Sequence, residues 1–193
     1  MFRLQLPTDP RWVNIAEMNE EAILTDHAYC ELKAAATALS LTRKFYDYPE
    51  IVSKMTELAR EEMEHFNRVH SFILKRGYKW LPEEKDEYVN KIAKLVKTGG
   101  SRIQQLVDHL LVAALIEARS CERFKMLSEQ IKDKELAEFY RELMESEAGH
   151  YTLFITLARG VEKREKVDKR WEEILKIEAE VIAGLENKST IHG

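Results

Sequence analysis

Four times along the chain, an apolar stripe at three-to-four spacing carries a glutamate in the middle of its apolar side. Residues so spaced share one helix face. Leu24, Ala28, Glu31, Ala35 and Ala38 make the first stripe, and Met55, Leu58, Glu62, His65, Val69 and Phe72 the second. Leu106, Leu110, Ala113, Glu117 and Phe124 make the third, and Tyr140, Leu143, Glu147, His150 and Phe154 the fourth. Such a chain must pack helices around acids, and glutamate is almost never fully buried without a partner. The rest of the composition agrees: 193 residues hold only 7 Gly and 4 Pro against 33% charged residues, a balance of long amphipathic helices rather than turn-rich β structure. The pattern predicts an all-α fold, a four-helix bundle with additional short helices.

Helix punctuation falls in order along the chain. Pro49 stands near one start, Gly77 after one end, Pro82 near another start, and Gly99-Gly100 before the candidate cap Ser101. Asp133 is a further candidate cap, Gly160 a further stop, and Asp168 a candidate opening of the last helix. Four long segments result, about 11–46, 50–76, 101–130 and 134–159, with shorter helices near 83–98 and 169–186. The expectation is one domain over 1–193, with its bundle core at about 11–160 and a C-terminal helix and tail at 161–193. The tail "ENKSTIHG" is expected to be loose.

The second and fourth stripes add a histidine three residues after the acid, giving two Glu-x-x-His pairs, Glu62/His65 and Glu147/His150. Glu31 and Glu62 stand one residue further apart than Glu117 and Glu147, so the two halves read as a duplication. An isolated Glu-x-x-His is a weak signal in a glutamate-rich chain; the matched spacing and the inward-facing upstream acids give it weight. Four carboxylates in an apolar interior would repel one another and lose their hydration. Two divalent cations resolve that conflict, because four negative charges then meet four positive ones. One Glu from each of two helices and Glu-x-x-His from the other two is the donor set of di-iron and di-manganese carboxylate proteins of the ferritin-like kind. The rival acids Glu61, Glu64, Glu122 and Glu145 read as surface or supporting groups. His27, His70 and His109 read as packing histidines without a matching acid, and Tyr29, Tyr140 and Tyr151 as aromatic packing. Cys30 and Cys121 read as small buried residues, because neighbouring helix positions point about 100° apart and so away from the ligand direction.

The net charge of −4 gives no global nucleic-acid footprint, although folding can still gather a local basic patch. No N-terminal apolar signal and no uncharged run long enough to span a bilayer occurs. The 2 cysteines fit a reducing cytoplasm better than a disulfide framework. The expected setting is cytoplasmic, with no membrane partner.

The segments "TDHAYCELKAAATAL", "LAREEMEHF", "LVDHLLVAALIEARSCERF" and "FYRELMESEAGHYTLFITLA" together resemble the MiaE-type tRNA hydroxylases, a non-haem di-iron branch of the ferritin-like superfamily. The likeness covers about residues 20–160, and "IEARSCERF" is its most family-specific piece. It implies a dioxygen-dependent monooxygenase that hydroxylates the isopentenyl side chain of 2-methylthio-isopentenyl adenosine beside the tRNA anticodon. It also implies two iron ions, with manganese as the alternative metal, held by Glu31, Glu62, His65, Glu117, Glu147 and His150, which act catalytically through the metals. Dioxygen chemistry of this kind needs two external electrons, hence a ferredoxin-like or reductase partner, since the chain carries no flavin or nicotinamide fingerprint. The sequence departs from related di-iron oxygenases at one point. An acid preceding the Glu of Glu-x-x-His commonly holds an imidazole; Glu61 could do so, whereas Ser146 cannot do so as a carboxylate. Gly149 is unusual within a helix and suggests close packing or an opening.

Candidate phosphate contacts are Arg68, Lys75, Arg76 and Lys79, then Lys91, Lys94 and Lys97, then Lys163, Arg164, Lys166, Lys169 and Arg170. A base drawn from its stack could meet Trp80 or Trp171. A ferritin-like iron oxidase or peroxide-scavenging di-metal protein would use the same ligands, and a metal-free helical interaction module would use none.

Overall fold

The computed structural model describes residues 2–185 and 190–192. Among them every regular element is helical: α1 (Trp12–Met18), α2 (Glu20–Lys44), α3 (Pro49–Lys75), α4 (Glu87–Ile92), α5 (Arg102–Gln130), α6 (Lys134–Val161) and α7 (Arg164–Ala183), with one 3-10 turn at Ala93–Leu95. These elements form two compact units. One comprises Ala16–Lys85 with Thr190 and Ile191; the other comprises the N-terminal segment up to Ile15, the chain from Asp86 onward and His192.

The first unit is a hairpin of α2 and α3. Residues 45–48 connect them, and Pro49 opens α3 in the first turn, where its missing N–H costs nothing. The chain leaves α3 through Gly77, whose φ of +68° is the left-handed geometry that glycine adopts most cheaply. The stripes turn inward as their periodicity requires: Leu24, Ala28, Ala35 and Ala38 of α2 and Met55, Leu58 and Val69 of α3 are buried. Each large aliphatic side chain buried in this way contributes about 1.5–3 kcal/mol. Phe72 departs from the pattern: it is half-buried, and Ile73 takes the core position instead.

The second unit is built on a hairpin of α5 and α6, joined by residues 131–133, with α7 packed against α4, α5 and α6. Ser101 and Gln104 form a reciprocal capping box at the start of α5, with bonds of 3.2 and 2.8 Å. Asp133 caps α6 by accepting from the Leu136 amide at 2.9 Å. Leu106, Leu110, Ala113 and Phe124 face the core of this unit, as do Tyr140, Leu143 and Phe154.

Several boundaries differ from those read in the sequence. The segment expected over 11–46 breaks at Asn19, whose φ of −126° and ψ of 45° lie outside the helical region, a departure that asparagine tolerates well. No helix begins near Pro82: the Tyr29 hydroxyl donates to the Leu81 carbonyl at 3.2 Å, and α4 opens only after Asp86, which caps the Val89 amide at 2.8 Å. Gly160 stays helical. Asp168 does not open α7, because its carboxylate is occupied by Arg159 at 2.9 and 2.6 Å. The expected loose tail is packed at its described residues: Thr190, Ile191 and His192 are buried. In the first unit the Ile191 amide donates to Asp26 at 2.6 Å. In the second, His192 stands between Ser120 at 2.9 Å and Asp86 at 3.1 Å. Residues 186–189 and 193 lie outside the described residues.

Candidate metal centre

In the first unit, the α2–α3 hairpin brings Glu31, Glu62 and His65 together, each offering a donor atom within 4.8 Å of the others. All three are buried. Helix geometry sets the pairing within α3, since residues three apart lie on one face: Glu62 Oε2 is 3.4 Å from His65 Nδ1. Glu31 arrives from α2, with Oε2 3.7 Å from the same nitrogen. Its other oxygen, Oε1, lies 2.7 Å from Nε2 of His27, one turn earlier on the same helix and wholly buried. His27 is therefore not a packing histidine without an acid. Its i, i+4 relation to Glu31 was visible in the sequence and is the signal that would have found it. One oxygen of Glu31 is anchored and the other is turned toward the imidazole of α3.

In the second unit, Glu117 of α5 and Glu147 and His150 of α6 gather in the same way, again with donor atoms within 4.8 Å of one another. Glu147 Oε2 is 2.9 Å from His150 Nδ1. Cys121 lies one turn beyond Glu117, and its thiol donates to the Met144 carbonyl at 3.2 Å. Burial, with the carboxylates of Glu147 and Glu117 adding to it, pushes this thiol up to about 12. Cys121 is accordingly an inert buried residue, whereas Cys30 is only half-buried.

The remainder of "IEARSCERF" serves the scaffold. Arg119 is fully buried, and its guanidinium donates to Glu178 of α7 at 3.1 and 2.5 Å, to Glu122 at 2.5 Å, to the Thr8 hydroxyl at 3.1 Å and to the Leu6 carbonyl at 3.0 Å. Arg123 lies over the ring of Trp12, 4.6 Å from its centroid. One helix turn thus ties the N-terminal segment and α7 to the helix that carries Glu117. Sequence reading missed this network because α7 and the N-terminal segment are far from α5 in the chain.

The other candidates separate cleanly. Glu61, Glu64 and Glu145 are exposed, and Glu122 belongs to the Arg119 network. Trp171 is buried against Tyr151, with centroids 6.0 Å apart. Trp80 is partly exposed, packs edge-on to Tyr29 and His70, and donates to the Tyr29 hydroxyl. Tyr140 stacks on Phe124 at 5.4 Å. Gly149 is exposed, and a Cβ built on it meets nothing within 4 Å, so close packing does not explain it.

The donor chemistry of each unit fits a divalent cation. Two carboxylates and one imidazole leave buried negative charge even with the ring protonated, and mixed oxygen and nitrogen donors suit iron, manganese or zinc.

An all-helical chain with these donor sets is a protein of the ferritin-like class. The solved structure of "Protein 43 with aldehyde deformylating oxygenase activity from Synechococcus" matches it with a TM-score of 0.93 and 34% identity, over 98% of this chain and 95% of that one. Within that class, the family model described as "MiaE: tRNA-(MS[2]IO[6]A)-hydroxylase (MiaE)" matches residues 2–193. A Pseudomonas putida protein named tRNA 2-(methylsulfanyl)-N(6)-isopentenyladenosine(37) hydroxylase is 36% identical over 189 residues, 98% of this chain and 91% of that protein. A Salmonella typhimurium protein of the same name is 29% identical, over 98% of this chain and 87% of its own length. The chain belongs to the MiaE family. No helix among the described residues is long and apolar enough to cross a membrane.

Proposed function

We propose that this chain is a tRNA-modifying hydroxylase: a di-iron, dioxygen-dependent monooxygenase acting on the isopentenyl side chain of 2-methylthio-isopentenyl adenosine next to the anticodon. The observation that carries the reading is a family match over 2–193 in a chain whose two hairpins each bury a Glu-x-x-His pair beside a third carboxylate. Glu31, Glu62 and His65 would hold one ion and Glu117, Glu147 and His150 a second, in a chain we read as one domain over 1–193. Iron, when bound, supplies the redox chemistry that acid and base side chains lack, letting dioxygen break a C–H bond. The chain's own groups bind and orient. Each glutamate offers an anionic oxygen, His150 Nδ1 is hydrogen-bonded to Glu147 while His65 Nδ1 lies 3.4 Å from Glu62 Oε2, and His27 fixes the rotamer of Glu31. Burial of all six excludes water that would compete for the ions. Two electrons per turnover come from an external ferredoxin-like or reductase partner.

The test incubates reduced, iron-loaded protein with dioxygen and tRNA carrying the unhydroxylated nucleoside, followed by nucleoside mass spectrometry. Gain of one oxygen on the isopentenyl group is the expected result. A long-chain aldehyde serves as the comparison substrate, because the similar Synechococcus protein is named for aldehyde deformylating oxygenase activity. Aldehyde turnover with unmodified tRNA would overturn the assignment. Glu62→Gln and Glu147→Gln should each lose bound iron by metal analysis, and chelation should lower the melting temperature, because the carboxylates are then buried without their cations.

A further inference from the structure

The second unit contains a feature that the metal centre does not use, a groove of about 680 Å³ whose lining includes Lys94, Lys97, Gly99, Glu162, Lys166 and Arg170. In the sequence its cations belong to two separate basic runs, one before α5 and one on α7. Folding brings them to one concavity, and a buried carboxylate sets the arrangement. Asp108 accepts from the Lys97 amide at 3.0 Å and from Arg170 Nε at 2.7 Å, while Arg170 Nη2 donates to the Leu95 carbonyl at 2.7 Å. Arg170 is thereby committed to holding the loop against α7.

The remaining cations differ in how far they are neutralised. Lys166 pairs with Glu162 at 3.2 Å. The Lys163 amide and the Lys166 ammonium hold the Glu162 carboxyl below its usual range, so it is ionised at neutral pH. Lys94 and Lys97 are exposed, and no carboxylate pairs with either among the described residues. A Cβ built at Gly99 meets nothing within 4 Å, leaving the backbone beside them open to an approaching group. Point cations around a concave channel suit a phosphodiester strand. A docked protein would instead need a broad complementary face of roughly 800 Å².

We infer that this groove docks the sugar-phosphate backbone of the tRNA substrate, with Lys94 and Lys97 as the principal phosphate contacts, Lys166 as a third, and Glu162 as a charge that weakens the hold. The inference rests on the proposed tRNA substrate and adds to it the surface that takes the RNA. It is tested by fluorescence anisotropy of a labelled anticodon stem-loop with the full-length protein over a salt series. The variants are Lys94→Ala/Lys97→Ala, Glu162→Gln, and the control Lys125→Ala/Lys134→Ala/Arg141→Ala, which removes exposed cations outside the groove.

The double variant should lower the slope of log affinity against log salt by about 2, and weaken binding roughly ten- to a hundredfold at 0.1 M salt. Glu162→Gln should tighten binding about two- to fivefold, a sign that a merely structural role would not produce. An unchanged slope in the double variant, or an equal fall in the control, overturns the groove. So does a variant that binds RNA normally but is reduced more slowly by its electron donor, which would make the surface a site for an acidic protein. Because these readouts are binding, wild-type protein that binds the stem-loop with the expected slope yet adds no oxygen would defeat the proposed reaction and leave the groove standing.

Discussion

The two hairpins carry the same donors in different surroundings. In α2–α3, the upstream acid Glu31 is held by His27 one turn before it, and Ala35 follows one turn later. In α5–α6, Ala113 stands where His27 would, and Cys121 stands where Ala35 would. Glu147 approaches His150 at 2.9 Å, whereas Glu62 keeps 3.4 Å from His65. The two hairpins thus share a donor spacing that helix periodicity enforces, while each fixes its acids by its own means. The first uses a hydrogen bond from a buried imidazole. The second uses a rigid backbone, with Arg119 clamping the turn of α5 that bears Glu117 to α7 and to the N-terminal segment.

The largest expected effect falls on that clamp. Arg119→Met leaves Glu178 and Glu122 without their cation, and should cost about 3–5 kcal/mol in urea unfolding, the penalty for stranding a buried charge. A loss under about 1 kcal/mol would show that α5 does not depend on it. Next is the asymmetry itself. His27→Ala should weaken iron binding roughly ten- to a hundredfold by competition with a calibrated chelator, since it frees one oxygen of Glu31 while sparing every ligand. An unchanged affinity would make the halves equivalent after all. A smaller and opposite effect is expected at Gly149→Ala, where open space and helical backbone together predict a gain of about 1 kcal/mol in stability. A loss there would show that the added methyl meets an obstruction or strains the helix despite the open space.

The smallest effect concerns the half-specific thiol. At pH 8 iodoacetamide should label Cys30 in the native protein and leave Cys121 untouched, with both labelled after denaturation. The sign follows from the raised thiol: the folded chain holds the Cys121 proton more tightly than the unfolded chain. Its contribution to stability is therefore full below about pH 9 and is lost as pH rises toward 12. Cys121→Ala should remove that part of the alkaline decline.

What could be read in the sequence was whatever a single helix decides. The stripes through Glu31, Glu62, Glu117 and Glu147 place those acids on apolar faces, and Glu62/His65 and Glu147/His150 are neighbours by helical spacing alone. The caps at Ser101 and Asp133, the start at Pro49 and the stop at Gly77 were equally legible, because capping is local chemistry. His27 was legible too, as the residue one turn before Glu31, although its acid stands at i+4 rather than at the three-residue spacing of the Glu-x-x-His pairs.

Other features required the folded chain. Residues 190–192 have the composition of a loose tail, yet Asp26, Asp86 and Ser120 fasten them, and no local signal announces a partner that distant. Asp168 looks like a cap and is instead taken by Arg159. Trp171 looks available to a base and is buried. The two basic runs of the groove meet only because Arg170 and Asp108 lock a loop to a helix, with Arg170 and Leu95 standing 75 residues apart in the chain. Helices, inward acids and donor spacing follow from periodicity within one element, so the order of residues alone dictates them. Which charges pair and which surfaces stay open does not follow in that way, because an ion pair or a groove is a property of distant segments brought into contact.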